Sequence, residues 1–353
     1  MQSLLAALVL AMGPAMAGAQ APNVTPYPTT AGAASTGQAE SSLFPPPAKA
    51  GGFQPDPLFR LADTSTLPAA DPLGIDAQDA ARRGPPGGMP PGTRPGMFQK
   101  ANFTASNLPR FEDDSLGVFT AGADVTFGFP FPDRSSPLIV TPRYRALFLD
   151  GPDFVDVPSR LHEASIGLST FRRLTDRWTF NGGIDLGVFA DDQRFGDSGS
   201  FFVTGRALGI KQLTSTWKGV VGAVYVNRAG LSVFPALGLM YDDGQKQIDL
   251  IFPRPRIAWL LPGSTPKPGD QRWFFVSGEF GGGRYAVERD GGGDDTLSYG
   301  DARISIGHER KVIGGLSRRT DFGYVFARDL EYDNDGYDFA LDDTLFVRTS
   351  LTY

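Results

Sequence analysis

The sequence predicts an all-β protein: one antiparallel, membrane-spanning β-barrel of about fourteen strands, preceded by a disordered N-terminal spacer. Three observations carry that prediction. Over the last ten residues, Leu345, Val347, Thr349, Leu351 and Tyr353 fall on one side of a strand, and Phe346, Arg348, Ser350 and Thr352 on the other. Successive strand side chains point to opposite faces, so a period of two separates a lipid-facing set from an inward set. The same alternation recurs upstream, in Phe119, Ala121, Ala123, Val125 and Phe127 and again in Trp178, Phe180, Ile184, Leu186 and Val188. No stretch approaches the roughly 18 consecutive apolar residues of a membrane-spanning helix. A closed barrel is the other structure that satisfies every backbone hydrogen bond in lipid.

The chain before the barrel divides in two. Residues 1–19 read as a secretory signal peptide, with an apolar core from Leu4 to Met12 and Ala17-Gly18-Ala19 as an A-x-A cleavage site, although no Lys or Arg precedes the core. Residues 20–96 read as a Pro/Gly-rich, disordered periplasmic spacer. More than half of the chain's 29 prolines lie between Gln20 and Arg110. Such a composition buries too little apolar surface to offset the entropy of ordering.

Residues 97–353 then read as strand, turn, strand. Fourteen segments are expected, near 98–107, 118–129, 138–148, 161–171, 177–190, 201–211, 216–226, 231–240, 246–252, 256–261, 272–286, 296–308, 318–330 and 343–353. Most reach the roughly 9–11 residues that a tilted membrane strand needs. The ninth and tenth do not, and they flank Phe252-Pro253-Arg254-Pro255-Arg256, where proline forbids an ordinary ladder. Twelve strands is the alternative.

Charge favours fourteen. With both ends of the barrel on the periplasmic side, parity sorts the connections into two rims. Glu112-Asp113-Asp114, Asp150, Asp153, Asp156, Asp191, Asp192, Asp197, Glu288, Asp290, Asp294, Asp295 and the acidic residues from Glu331 to Asp343 then share the outer rim. The chain has no cysteine, which excludes disulfides and thiolate chemistry. Its net charge of −6, with both signs mixed, lacks the basic footprint of a nucleic-acid binder.

The terminal strand resembles the closing strand of bacterial outer-membrane barrels, an end understood to be read by the assembly machinery of that membrane. That resemblance assigns Leu345, Val347, Leu351 and Tyr353 to barrel closure and assembly, with membrane lipid and the assembly machinery as partners. The segments RRLTDRW (172–178), VTGRALGIKQ (203–212), IFPRPRIAWLL (251–261), GEFGGGRYAVER (278–289), FGYVFARDLEYD (322–333) and LDDTLFVRTSLTY (341–353) resemble an uncharacterised family of bacterial outer-membrane β-barrels, a domain of unknown function. The resemblance implies fold and bacterial outer-membrane location and brings no catalytic residue.

By parity the lumen receives Asp124, Glu163, Asp185, Arg206, Lys218, Glu279, Asp301, Arg303 and Arg348. These suit either a polar path whose charges set selectivity or a salt-bridged interior that braces the wall. A barrel of about fourteen strands is wider than the eight-stranded kind that side chains fill, which favours a passive channel for small solutes. The alternative is a non-conducting structural or interaction protein that uses the acidic outer loops or the spacer. No enzyme is expected. The two histidines, His162 and His308, fall on lipid-facing sides, and Ser165 and Ser169 lie on the face opposite His162, against a dyad. No cofactor is expected beyond calcium at an outer loop, where Glu331, Asp333, Asp335 and Asp342 loosely follow EF-hand spacing.

Overall fold

The computed structural model describes residues 96–112, 115–133, 136–152, 155–227, 232–264, 270–312, 315–334 and 338–353. Apart from Gly96, the signal-peptide and spacer assignments lie outside these residues. The described strands are β1 (Phe98–Leu108), β2 (Gly117–Asp133), β3 (Ser136–Asp150), β4 (Arg160–Arg173) and β5 (Trp178–Asp191). They continue as β6 (Phe201–Gln212), β7 (Trp217–Tyr225), β8 (Val233–Asp242), β9 (Lys246–Ile251) and β10 (Arg256–Leu260). Then follow β11 (Asp270–Glu288), β12 (Asp294–Val312), β13 (Ser317–Tyr332), β14 (Asp338–Leu341) and β15 (Thr344–Thr352). Both β14 and β15 pair with β13, so they are two halves of one wall strand interrupted at Asp342-Asp343. The wall therefore has fourteen antiparallel strands.

Closure is made by the two ends of the barrel. β15 pairs with β1 from Asn102↔Thr352 to Asn107↔Val347, and Ala101 and Tyr353 exchange backbone hydrogen bonds of 2.9 and 2.8 Å. Leu345, Val347, Leu351 and Tyr353 point outward and Phe346 and Arg348 inward, as the alternation predicts. The outer surface carries a broad apolar belt that includes Phe103, Tyr144, Ile166, Ile184, Val221, Leu237, Ile304 and Phe322.

The short strands β9 and β10 belong to the wall, which settles the count against twelve. β9 pairs with β8 over Gly238↔Ile251 to Asp242↔Gln247, and β10 pairs with β11 over Arg256↔Ser277 to Leu260↔Trp273. Pro253 and Pro255 sit in the connection between them, outside the ladder. Strand direction puts Asp150, Asp191, Glu288, Asp294 and Glu331 at one rim, called here the far rim, opposite the near rim with Phe98 and Tyr353. Asp113, Asp114, Asp153 and Asp335 lie outside the described residues.

The near-rim turn between β8 and β9 shows how these tight connections are held. Asp243 Oδ1 accepts the backbone N–H groups of Gln245 and Lys246 at 2.9 and 2.6 Å. Partial burial raises the Asp243 pKa, but these N–H groups and the Tyr241 hydroxyl outweigh it and hold the carboxyl below its usual range. A carboxyl depressed in the folded state contributes stability above its unfolded pKa and loses it as pH falls through the folded value. Urea unfolding in lipid vesicles should show Asp243→Asn closing the stability gap to the parent protein below about pH 4. In the same assay at neutral pH, Leu237→Arg in the apolar belt should cost about 2–4 kcal/mol.

Candidate functional site: a charged interior and a folded-over mouth

Four neighbouring strands break at one level of the wall. On β11, Gly282 has φ +105°, and a Cβ there would meet the Tyr299 carbonyl oxygen at 1.9 Å, so only glycine fits. Gly282 pairs with Gly300 of β12, where the ladder to β13 slips between Gly300 and Ala302. On β13, Ala327 has φ 50°, and the β14/β15 interruption follows beside it. These positions form a crease across the sheet.

Beyond the crease the sheet meets the opposite wall. Ala286 of β11 pairs with Ala190 of β5, six strands away. The Tyr285 hydroxyl donates to Glu163 Oε1 of β4 at 2.6 Å, and its ring packs edge-on to Phe189 at 6.4 Å. Asp191 Oδ2 accepts the Glu288 N–H at 2.8 Å; Asp156 accepts Arg289 Nε at 3.0 Å and the Asp290 N–H at 2.7 Å. The Tyr332 hydroxyl bonds to the Asp156 carbonyl, under the Arg289 guanidinium, which lies 3.8 Å from the ring centre. An apolar core fills the interval, with Leu108, Val118, Leu147, Leu161 and Phe189 from one wall and Val287, Leu297, Val325 and Leu330 from the other. Towards the far rim, the barrel is thus reduced to a smaller ring of β1–β5 and β11–β15. Beside that core lies a cavity of about 30 Å³, lined by Thr104, Arg145, Glu163, Tyr299 and Arg303 among others.

Below the crease, charges of alternating sign link β10 to β15. Asp301 accepts both Arg303 Nε–H and Nη2–H at 2.7 and 2.6 Å, and Arg303 lies 3.8 Å from Glu279. Glu279 accepts Arg348 Nη1–H at 2.7 Å, Arg348 Nε donates to Asp321 at 2.9 Å, and Asp321 accepts Arg319 Nε–H at 3.0 Å. Phe275 lies between Arg319 and Arg256, 4.2 and 4.7 Å from the ring centre, and Arg256 reaches Glu309 at 2.6 Å. On the other wall Arg145 pairs with Glu163 at 2.9 Å and Arg143 with Asp185 at 3.4 Å. Each of these buried charges thereby meets an opposite one, which desolvation demands.

Seven of the nine lumen candidates are buried on the inner face: Glu163, Asp185, Arg206, Glu279, Asp301, Arg303 and Arg348. Glu279, Asp301, Arg303 and Arg348 form one cluster. Arg206 donates to Asn181 at 2.8 Å and half-buried Asp124 accepts Asn102 at 3.2 Å. Lys218 lies at the near-rim end of β7. Asp321, Arg319, Arg145 and Tyr285 were missed, although the same parity assigns all four to the inner face. Of the calcium candidates, Asp333 pairs with Arg284 and Asp335 lies outside the described residues. Among the described residues no three carboxylates or imidazoles gather as a metal site.

His162 is on the outer face, as expected, yet it is not a bare interfacial side chain. Its Nδ1 lies 2.7 Å from the Tyr144 hydroxyl and its Nε2 2.6 Å from Asp192 Oδ1, so the ring bridges β3 and the β5–β6 connection. Ser165 is buried on the opposite face. His308 is exposed on the outer side of β12.

Fold and interior together define a transmembrane β-barrel with a charge-paired interior and a far mouth narrowed by the β5–β11 contact. The chain belongs to the DUF6268 family, a domain of unknown function, whose profile matches residues 152–343. No curated protein matches it. Among solved structures it is similar to LpxR from Salmonella typhimurium, at 9% identity and TM-score 0.36, covering 72% of this chain and 99% of that one. It is also similar to the TodX deltaS2S3 mutant monoaromatic hydrocarbon channel, at 10% identity and TM-score 0.36, covering 74% and 90%. A bacterial polysaccharide outer membrane secretin matches at 8% identity and TM-score 0.30, covering 72% and 97%. Likenesses of this size say nothing about function.

Arg348→Met would leave Asp321 and Glu279 short of a buried partner and should cost about 3–5 kcal/mol of unfolding free energy. Adding Glu279→Gln should recover part of that loss in a double-mutant cycle.

Proposed function

We propose that this protein is a bacterial outer-membrane barrel that is shut on its outer side at rest and acts as a structural or interaction protein of that membrane. The apolar belt and the export-like N-terminus support the location, and the far rim is then the outer one. The terminal strand with Leu345, Val347, Leu351 and Tyr353 would be presented to the assembly machinery. The observation that carries the shut state is the contact of β11 with β5, sealed by Tyr285 on Glu163. A standing-open channel for small solutes fits that contact poorly.

The acidic outer loops are a weaker contact surface for cations than their sequence suggests. Asp150, Asp156, Asp192, Asp295 and Asp333 already face Arg110, Arg289, Arg160, Arg289 and Arg284. That pairing favours loops holding one another over loops chelating calcium.

Planar-bilayer recording tests the reading. The intact barrel should give no pore-sized conductance steps. Trimming residues 284–298 to a short turn, which shortens β11 and β12 equally, should introduce such steps while the barrel remains heat-modifiable on gels. Steady conductance from the intact protein would falsify the shut state.

A further inference from the structure

The near rim carries an aromatic girdle on its outer face. Trp178, Trp217, Tyr241 and Trp259 stand outward at the near-rim ends of β5, β7, β8 and β10. Trp217 lies 4.9 Å from Tyr241, and Trp259 stacks on Phe274 at 6.1 Å. Such a girdle marks the level where hydrocarbon gives way to headgroups. On β11–β13 this level is held by Phe274, His308 and Thr320, which pair across the three strands.

One pleat nearer the rim, roughly 7 Å further along the strands, the same three strands present a row of cations. Arg272 of β11 pairs with Arg310 of β12, and Arg310 pairs with Arg318 of β13. All three are exposed on the outer face. Paired Cα atoms of neighbouring strands are roughly 5 Å apart, and like charges directly opposite one another destabilise a sheet. One carboxylate accompanies the row: Asp270 accepts Arg310 Nε–H and Nη2–H at 2.9 and 2.6 Å. Among the described residues neither Arg272 nor Arg318 has an ion-pair partner, and Arg318 Nε–H reaches the Thr320 hydroxyl at 3.4 Å. The connections bordering the row, 265–269 and 313–314, contain Lys267 and no acidic residue. The far rim differs, since Arg110, Arg160, Arg284 and Arg289 there each meet an aspartate. The row thus concentrates uncompensated positive charge at headgroup level.

We propose that Arg272, Arg310 and Arg318 bind the phosphate of an anionic phospholipid in the near-rim leaflet. A guanidinium fork matches phosphate oxygens in pairs, which a point charge cannot do. The acyl chains of a lipid held there would lie on Ile306, Ile304 and Phe322, the exposed apolar residues further along β12 and β13. A zwitterionic lipid would bring its own ammonium to a patch that already has cations in excess, so a net negative headgroup is favoured. The proposal needs only a wall that spans a membrane and does not depend on the far mouth being shut.

Native mass spectrometry of the full-length protein released from detergent micelles tests it, with dioleoyl phosphatidylglycerol in one arm and dioleoyl phosphatidylcholine in the other. The parent protein should retain phosphatidylglycerol about tenfold more tightly than phosphatidylcholine. R272Q/R318Q should abolish that preference, and R318Q alone, should the double variant not fold, should reduce it about threefold. R172Q, at the outward near-rim end of β4 and away from the row, should leave it unchanged. Equal retention of the two lipids by the parent would overturn the proposal, as would an equal loss in R172Q. Inorganic phosphate retained as tightly as phosphatidylglycerol would overturn the lipid assignment. A preference that emerges only after residues 20–96 are removed would also overturn it, since acidic residues of the chain itself would then hold the row.

Discussion

A strand in lipid must have both of its edges paired, because no water is present to bond the backbone instead. The β1–β15 ladder meets that requirement for the whole molecule: it joins the two ends of the barrel and removes the last open edges. Where the requirement lapses locally, the structure repairs it with other groups. The short β9 and β10 leave the upper edges of β8 and β11 without strand partners. Backbone bonds from Phe252 to Leu237 and from Gly278 to Pro255, the Asn227 side chain, and the Ala286–Ala190 pairing take over there.

The crease follows from the same shortage. A long β11 without a partner beyond Ser277 can turn inward, provided its own neighbours bend with it. Gly282 supplies a left-handed residue, β12 a ladder slip, β13 the left-handed Ala327 and the last wall strand a break at Asp342-Asp343. The inward turn then brings Tyr285 to Glu163 and buries an apolar core in a region that strand number alone would leave wide. The arginine–carboxylate chain from Asp301 to Glu309 occupies the level beneath, where each charge is neutralised by its neighbours.

Strand positions and inner-face residues were legible because a period of two is a local property. Arg348 and Asp301 could be assigned inward from their immediate neighbours alone, and the acidic residues of the far rim followed from strand parity. The non-local contacts were not legible. Nothing near Tyr285 in sequence shows that β11 leaves the wall, and GEFGGGRY reads equally as an ordinary glycine-rich strand. Strand count predicted width, but width fails to predict an open path once a sheet can fold across it. The Tyr144–His162–Asp192 chain was hidden for a similar reason, since it joins two strands and a loop.

Covalent trapping of the β5–β11 contact tests the shut state most directly, and the absence of native cysteine makes it clean. Neighbouring strands bring paired Cα atoms within disulfide range. In the A190C/A286C variant folded in membranes, mild oxidation should form the intramolecular disulfide rapidly and nearly completely. An A190C/L239C control, with its second position on the outward face of β8, should form none. Failure of A190C/A286C to cross-link, with spin labels at the two sites reporting a separation of a full barrel width, would contradict a mouth closed by β11.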